Sequence, residues 1–174
     1  MINRRSFITG IKSVSLSSKE KIFLKTYRPW GIILFSRNIK SIKQITNLTN
    51  EIKKIFKDKN YPILLDQEGG RVNRLHKFLN ADTLTNKYFG DLFIKDKKKF
   101  NIYFKIFINK TSYLLKQIGV NINTVPVLDI RSKGSSNIIG DRSFSHNPNI
   151  INKIGSIYIN KLHRNNIGTV IKHI

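Results

Sequence analysis

Two kinds of apolar pattern alternate along this chain. Short runs that are apolar at most positions occur at 31–35 (GIILF), 62–65 (PILL), 122–128 (INTVPVL) and 168–171 (GTVI). A strand buried on both faces has no polar side to show, so such runs predict strands of a parallel sheet covered by helices. Between them lie longer stretches in which apolar residues return every three or four positions. Residues 41–56 carry Ile42, Ile45, Leu48, Ile52 and Ile55, and residues 97–118 carry Phe100, Phe104, Phe107, Leu114, Leu115 and Ile118. That spacing lines one face of a helix. The end signals agree with these periods. Ser17 and Glu20 stand at capping-box spacing, and Gly119 sits where a C-terminal cap glycine belongs. Asn147-Pro148 reads as an N-cap followed by proline at the first helical position of 148–164. Strand and helix in alternation predict an α/β domain of βαβ units with about four parallel strands. Neither an internal repeat nor a Pro/Gly-rich linker interrupts it, so residues 1–174 read as one domain unit.

Composition narrows the function classes. With 40% apolar residues in a chain of 174, there is enough to bury a core. There is no cysteine, which excludes a disulfide framework, a thiol nucleophile and a thiolate metal site. The four histidines show no metal-ligand spacing. No apolar run is long enough to cross a bilayer, and no membrane partner is expected. The formal charge of +22 can mark a nucleic-acid binder. Here the lysines are scattered and accompanied by abundant Ile and Asn, as when a biased codon usage fills tolerant surface positions. Only Lys97-Lys98-Lys99 forms a compact run, which reads as a solvated face. With no aromatic-basic platform beside the charge, no nucleic-acid partner is expected. Arg4-Arg5-Ser6-Phe7-Ile8 resembles the opening of a twin-arginine export signal. Residues 9–19, interrupted by Lys12, are too polar to serve as its apolar region. The chain is therefore read as cytoplasmic.

The residues just beyond each strand are the most informative about chemistry. The first strand runs into Ser36-Arg37-Asn38, the second into Asp66-Gln67-Glu68-Gly69-Gly70-Arg71, the third into Asp129 and the fourth into Lys172-His173. Parallel α/β folds bind their ligands at the carboxyl ends of strands, so four polar strand ends point to a site for a polar ligand. Gly69-Gly70 permits a tight turn with positive φ. Asp66 and Glu68 offer acceptors to hydroxyl groups, while Arg71 and Arg74 can hold carboxylates or ligand anions. An ion-pair network that only shapes the loop is an equally good reading for Glu68 and Arg71. For Asp66, the first residue past its strand, ligand contact is the better one.

The stretch LLDQEGGRVNRL resembles the signature of glycoside hydrolase family 3, in particular its bacterial β-N-acetylhexosaminidase branch. Trp30–Asn38, Val125–Asp129 and Gly140–Phe144 with Asn147-Pro148 resemble further motifs of that family in the expected order, although the family more often has Glu at position 141. Lys172-His173 is similar to the start of its Lys-His-Phe-Pro-Gly-His-Gly stretch. The resemblance implies a (β/α)8 TIM-barrel fold, present here as an incomplete N-terminal half. It also implies a cofactor-free hydrolase that removes terminal N-acetylglucosamine from peptidoglycan-derived muropeptides by double displacement. Asp66, Arg74, Arg142, Lys172 and His173 match family positions that bind the N-acetylglucosamine unit. The nucleophilic Asp and the His acid/base of the family match nothing in 1–174, so no catalytic residue is assigned within this chain.

A retaining glycosidase needs two groups about 5–5.5 Å apart across the scissile bond. Asp66, Glu68 and Asp129 are the carboxylates that could substitute, whereas His76, His146 and His163 have no catalytic context. A non-catalytic sugar-binding or interaction module derived from the same barrel is the alternative reading. Half a barrel leaves sheet edges open, and self-association through them is expected.

Overall fold

The structure, a computed structural model, describes residues 4–131 and 137–173. The chain divides into two compact units, residues 1–65 with 114–122 and residues 66–113 with 123–174. The architecture is α/β, with a five-stranded sheet in the order β1-β2-β3-β6-β7. These strands are β1 (Arg5–Gly10), β2 (Pro29–Leu34), β3 (Ile63–Leu65), β6 (Ile122–Asn123) and β7 (Gly168–Thr169), with a two-stranded β4 (Gln67–Gly69) and β5 (Val72–Asn73) apart from them.

In the first unit, β1 runs parallel to β2 with Ile8 opposite Gly31, and β2 runs parallel to β3 with Ile32 opposite Ile63 and Leu34 opposite Leu65. Helix α1 (Ser18–Tyr27) starts with the capping box expected of its sequence. The Ser17 hydroxyl accepts from the Glu20 amide at 3.2 Å, and the Glu20 carboxylate accepts from the Ser17 amide at 2.9 Å. Helix α2 (Ile42–Phe56) is capped by Ser41 and buries Ile45, Leu48, Ile52 and Phe56. Tyr61 stacks on Phe56 with ring centroids 3.9 Å apart and donates its hydroxyl to the Pro29 carbonyl at 2.7 Å. Thus a fully buried phenol has both its ring and its polar end satisfied.

The second unit is organised by aromatic packing. Helices α3 (Asn86–Lys95), α4 (Lys97–Gln117) and α5 (Pro148–Arg164) supply most of it. Phe104 lies 4.7 Å from Phe89, 4.9 Å from Phe100 and 5.0 Å from Tyr158, centroid to centroid. Gly90 lets α3 reach the backbone of Phe144, because a Cβ there would sit 1.7 Å from the Phe144 carbonyl oxygen. Asn147 caps α5 and Pro148 occupies its first turn, as the sequence predicts.

The differences from the sequence reading have identifiable causes. Five strands stand where about four are expected, because β1 is polar at Arg5, Ser6 and Thr9 and half-open to solvent, so it shows no apolar run. The predicted strand at 122–128 pairs as β6 only over Ile122–Asn123. It resumes as an isolated parallel bridge between Val127 and Lys172. Helix α3 was not expected either. Its stripe is short, and Thr85, which caps it by accepting from the Tyr88 amide at 3.0 Å, is an inconspicuous start signal.

Candidate functional site

The loop after β3 is set by a buried amide network. Gln67 and Asn123 exchange hydrogen bonds of 3.0 Å in each direction, side chain to backbone, and Gln67 Nε2 donates to Asn73 Oδ1 at 2.9 Å. Gln67 Oε1 accepts from the Leu75 amide at 3.0 Å, and Asn73 Nδ2 donates to the Leu79 carbonyl at 2.9 Å. A buried network in which each amide finds partners fixes one loop conformation, since any rearrangement strands a polar group away from water. The turn itself needs glycine. Gly69 has φ +93° and a Cβ there would lie 2.4 Å from the Leu84 carbonyl oxygen, while Gly70 has φ +55°.

On this frame five chain segments bring charged groups together. Asp66 Oδ1 accepts from Lys172 Nζ at 2.9 Å and from the Thr124 hydroxyl, and Arg74 approaches Asp66 Oδ2 at 3.7 Å. Glu68, only 2% exposed, receives Arg142 in a two-pronged pair, Nε to Oε2 at 2.8 Å and an Nη to Oε1 at 2.9 Å. Lys172 Nζ also lies 2.7 Å from Glu68 Oε1, so one ammonium bridges both carboxylates. His173 is held by Asp129, whose Oδ2 accepts from its backbone amide at 3.1 Å and lies 2.8 Å from Nδ1. The far ring nitrogen, Nε2, sits 3.2 Å from an Arg142 Nη. A guanidinium only donates and a carboxylate only accepts, so this geometry fits a neutral imidazole with its proton on Nδ1. The imidazole remains 45% exposed, leaving a face open to solvent.

The electrostatics follow from these contacts. Burial pushes the Asp66 carboxyl up. The hydrogen bonds from Thr124 and Lys172 and the charges of Lys172 and Arg74 outweigh it, and the net pKa falls below the usual carboxylate value. The Glu68 hydrogen bonds lift the Arg142 guanidinium above its already high value. Tyr158, fully buried, has its phenol pushed up by burial and by the nearby Glu68 charge.

All five residues singled out from the sequence, Asp66, Arg74, Arg142, Lys172 and His173, belong to this one cluster. Lys172 is no loose end. Its amide donates to the Pro126 carbonyl at 3.2 Å and its carbonyl accepts from the Leu128 amide at 2.8 Å. Glu68 and Arg71, left open between ligand contact and loop shaping, separate. Glu68 lies inside the cluster. Arg71 caps the carbonyls of Asn137, Ile138 and Ile139 at 2.7, 2.7 and 3.0 Å and pairs with Asp141 at 3.0 Å, which is loop shaping. The Ser36-Arg37-Asn38 strand end is also structural. Asn38 is fully buried and donates to the Ile11 and Ser13 carbonyls at 3.2 and 2.8 Å, and Arg37 donates to the Ile11 carbonyl at 3.2 Å. Asp129, named from the sequence as a polar strand end, joins the cluster through His173, and Thr124 is a partner that the sequence did not single out. The signal for Thr124 was a hydroxyl beside Asn123 near the start of a mostly apolar run.

Residues 8–174 match the family model described as the glycosyl hydrolase family 3 N terminal domain. The chain belongs to glycosyl hydrolase family 3. Among curated relatives, a beta-hexosaminidase of Xanthomonas campestris pv. campestris is 28% identical over 95% of this chain and 49% of its own length. One from Hydrogenovibrio crunogenus is 31% identical over 95% of this chain and 46% of its own. NagZ from Neisseria gonorrhoeae, solved in complex with N-trifluoroacetyl-D-glucosamine, superposes with a TM-score of 0.89 at 28% identity, covering 99% of this chain and 51% of that one. The chain thus spans about half the length of the curated relatives it matches. The fold is that of the N-terminal half of the family 3 barrel.

Proposed function

We propose that this chain forms the sugar-binding half of a β-N-acetylhexosaminidase acting on terminal N-acetylglucosamine of peptidoglycan-derived muropeptides in the cytoplasm. One observation carries the reading. Asp66, Arg74, Arg142, Lys172 and His173, drawn from segments far apart in sequence, meet in one hydrogen-bonded cluster of a family 3 domain. Donors and acceptors held in fixed directions suit a ring that carries several hydroxyl groups, because the cost of orienting the side chains is met before the sugar arrives. In this reading Asp66 accepts from sugar hydroxyls, while Arg74, Arg142 and Lys172 donate to sugar oxygens. His173 uses the exposed part of its ring, and no cofactor takes part.

The same geometry argues against placing bond cleavage on these groups. Glu68 has both oxygens held by Arg142 and Lys172, and Asp66 is kept ionised by Thr124 and Lys172, so neither is poised to deliver a proton. We assign both residues to binding and positioning, which also keeps the non-catalytic sugar-binding module as a second reading. Titration calorimetry with N-acetylglucosamine, paired with hydrolysis of a chromogenic N-acetylglucosaminide, tests the proposal. Binding that is lost in Arg142→Ala supports it. Hydrolysis by residues 1–174 that disappears in Asp66→Ala would overturn the assignment of binding alone.

A further inference from the structure

The cluster contains one group with no route to a ligand. Glu68 is 2% exposed, and its two oxygens are spent on Arg142 and Lys172. Arg142 and Lys172 carry long side chains with large rotamer freedom, yet each is only 15% exposed. A planar guanidinium gripped through both Nε and an Nη cannot rotate, which fixes where its remaining N–H bonds point. The same Nη2 that pairs with Glu68 also reaches His173 Nε2 at 3.2 Å, and Nη1 faces the Ile138 carbonyl at 3.4 Å. Lys172, anchored at 2.7 Å by Glu68 and at 2.9 Å by Asp66, is likewise aimed rather than free.

The charge balance of the cluster points the same way. Its cations, Arg74, Arg142 and Lys172, are matched by the carboxylates Asp66, Glu68 and Asp129, with the imidazole neutral in this geometry. The rest of the molecule does not share that balance, since the chain carries a formal charge of +22. A site without Glu68 would therefore present an excess positive charge inside a strongly cationic protein, an environment that recruits anions.

We propose that Glu68 is a positioning and specificity-determining residue. It orients Arg142 and Lys172 and holds the site electrically neutral, so that an uncharged pyranose is accepted in preference to an anionic one such as a sugar phosphate. The inference rests on the sugar-binding reading above for its ligand, while its geometric part stands independently.

The test compares the wild-type chain with Glu68→Gln and Glu68→Asp, using N-acetylglucosamine and N-acetylglucosamine 6-phosphate as probes in titration calorimetry. Glu68→Gln keeps the shape and removes the charge, whereas Glu68→Asp keeps the charge and shortens the reach. Glu68→Gln is expected to weaken the neutral sugar by about tenfold or more, the scale of a hydrogen bond to a charged group, and to move the preference toward the phosphate. Glu68→Asp is expected to lose affinity for the neutral sugar while keeping the preference for it. The Arg142 Nε–H resonance provides a readout that needs no ligand. It should exchange slowly with water in the wild type and fast in Glu68→Gln.

A folded Glu68→Gln with unchanged affinity and unchanged preference would overturn the proposal, as would an unaltered Arg142 signal. If Glu68→Gln does not fold, Glu68→Asp decides. Reduced affinity with retained preference supports the proposal, and unchanged affinity overturns it. A wild-type chain that binds neither probe would sink the sugar-binding reading and with it the selectivity, while loss of the slow Arg142 resonance in a folded Glu68 variant would still support positioning.

Discussion

Replacing Gly90 by alanine should damage this protein through a residue that touches no ligand. Gly90 lies inside α3, where alanine is favoured over glycine by about 1 kcal/mol on helix propensity alone. The added Cβ, however, would meet the Phe144 carbonyl oxygen at 1.7 Å and the carbonyl carbon at 2.6 Å. To reach even the 3.0 Å floor of real Cβ contacts, the two backbones must separate by roughly 1.3 Å. Neither can yield like a side-chain tip. Phe144 is 1% exposed and packs against Phe104 and Tyr158, and Asn86 in the first turn of α3 donates to the Arg142 carbonyl at 2.6 Å. Overpacking costs typically 1–3 kcal/mol, and a backbone-to-backbone clash belongs at the upper end, so a net loss of about 2 kcal/mol or more is expected after the propensity gain. Gly155→Ala in α5 is the internal control, because its Cβ would press on the Leu128 Cδ2 tip at 2.8 Å and otherwise meet Pro126 Cγ at an ordinary 3.8 Å. It should change stability by less than about 1 kcal/mol. Urea denaturation of the three proteins measures both. A Gly90→Ala variant within about 0.5 kcal/mol of the wild type would mean that α3 and the Phe144 backbone are not in the close contact described. If that variant still folds, its affinity for N-acetylglucosamine should fall too, since Phe144 and Arg142 lie on the same short segment.

The folded-state pKa of Asp66 lies below its unfolded value, near 3.9. Its contribution to stability is therefore complete above that value and is lost as pH falls through the folded pKa. Urea midpoints of the wild type should decline on acidification below about pH 4, and Asp66→Asn should flatten that decline relative to the wild type; parallel curves would contradict the assignment. Asp129→Asn removes the charged acceptor from His173 Nδ1 and should lower sugar affinity by about tenfold with the thermal midpoint nearly unchanged, as calorimetry and circular dichroism can check. Tyr61→Phe deletes the 2.7 Å bond to the Pro29 carbonyl while keeping the stack on Phe56, and should cost about 1 kcal/mol in chemical denaturation.

Much of this fold was legible along the chain because it depends on neighbours in sequence. The Ser17–Glu20 box, the Asn147 cap, the Ile45/Leu48/Ile52 stripe and the Phe100/Phe104/Phe107 stripe are short-range patterns, and the corresponding helices form where those patterns predict. The Gly69-Gly70 turn was legible for the same reason, since a positive φ is a local demand that glycine meets. The motifs around Asp66, Val125-Pro126, Arg142 and Lys172-His173 were enough to place the chain in its family. Other features needed the folded molecule because nothing local distinguishes them. Arg5–Gly10 is polar at half its positions, and it becomes a strand only through pairing with β2. Glu68 and Arg71 lie in one short loop as side chains that could form ion pairs. Folding sends Glu68 inward to Arg142 and Lys172, and Arg71 outward to the carbonyls of 137–139. Which carboxylate meets which cation is set by distances between segments tens of residues apart, and those exist only once the helices have packed. Read alone, the residues named most of the elements, the family and most members of the charged cluster. Only folding separated the cluster's buried charges from its more exposed ones, because burial and reach are properties of the packed chain.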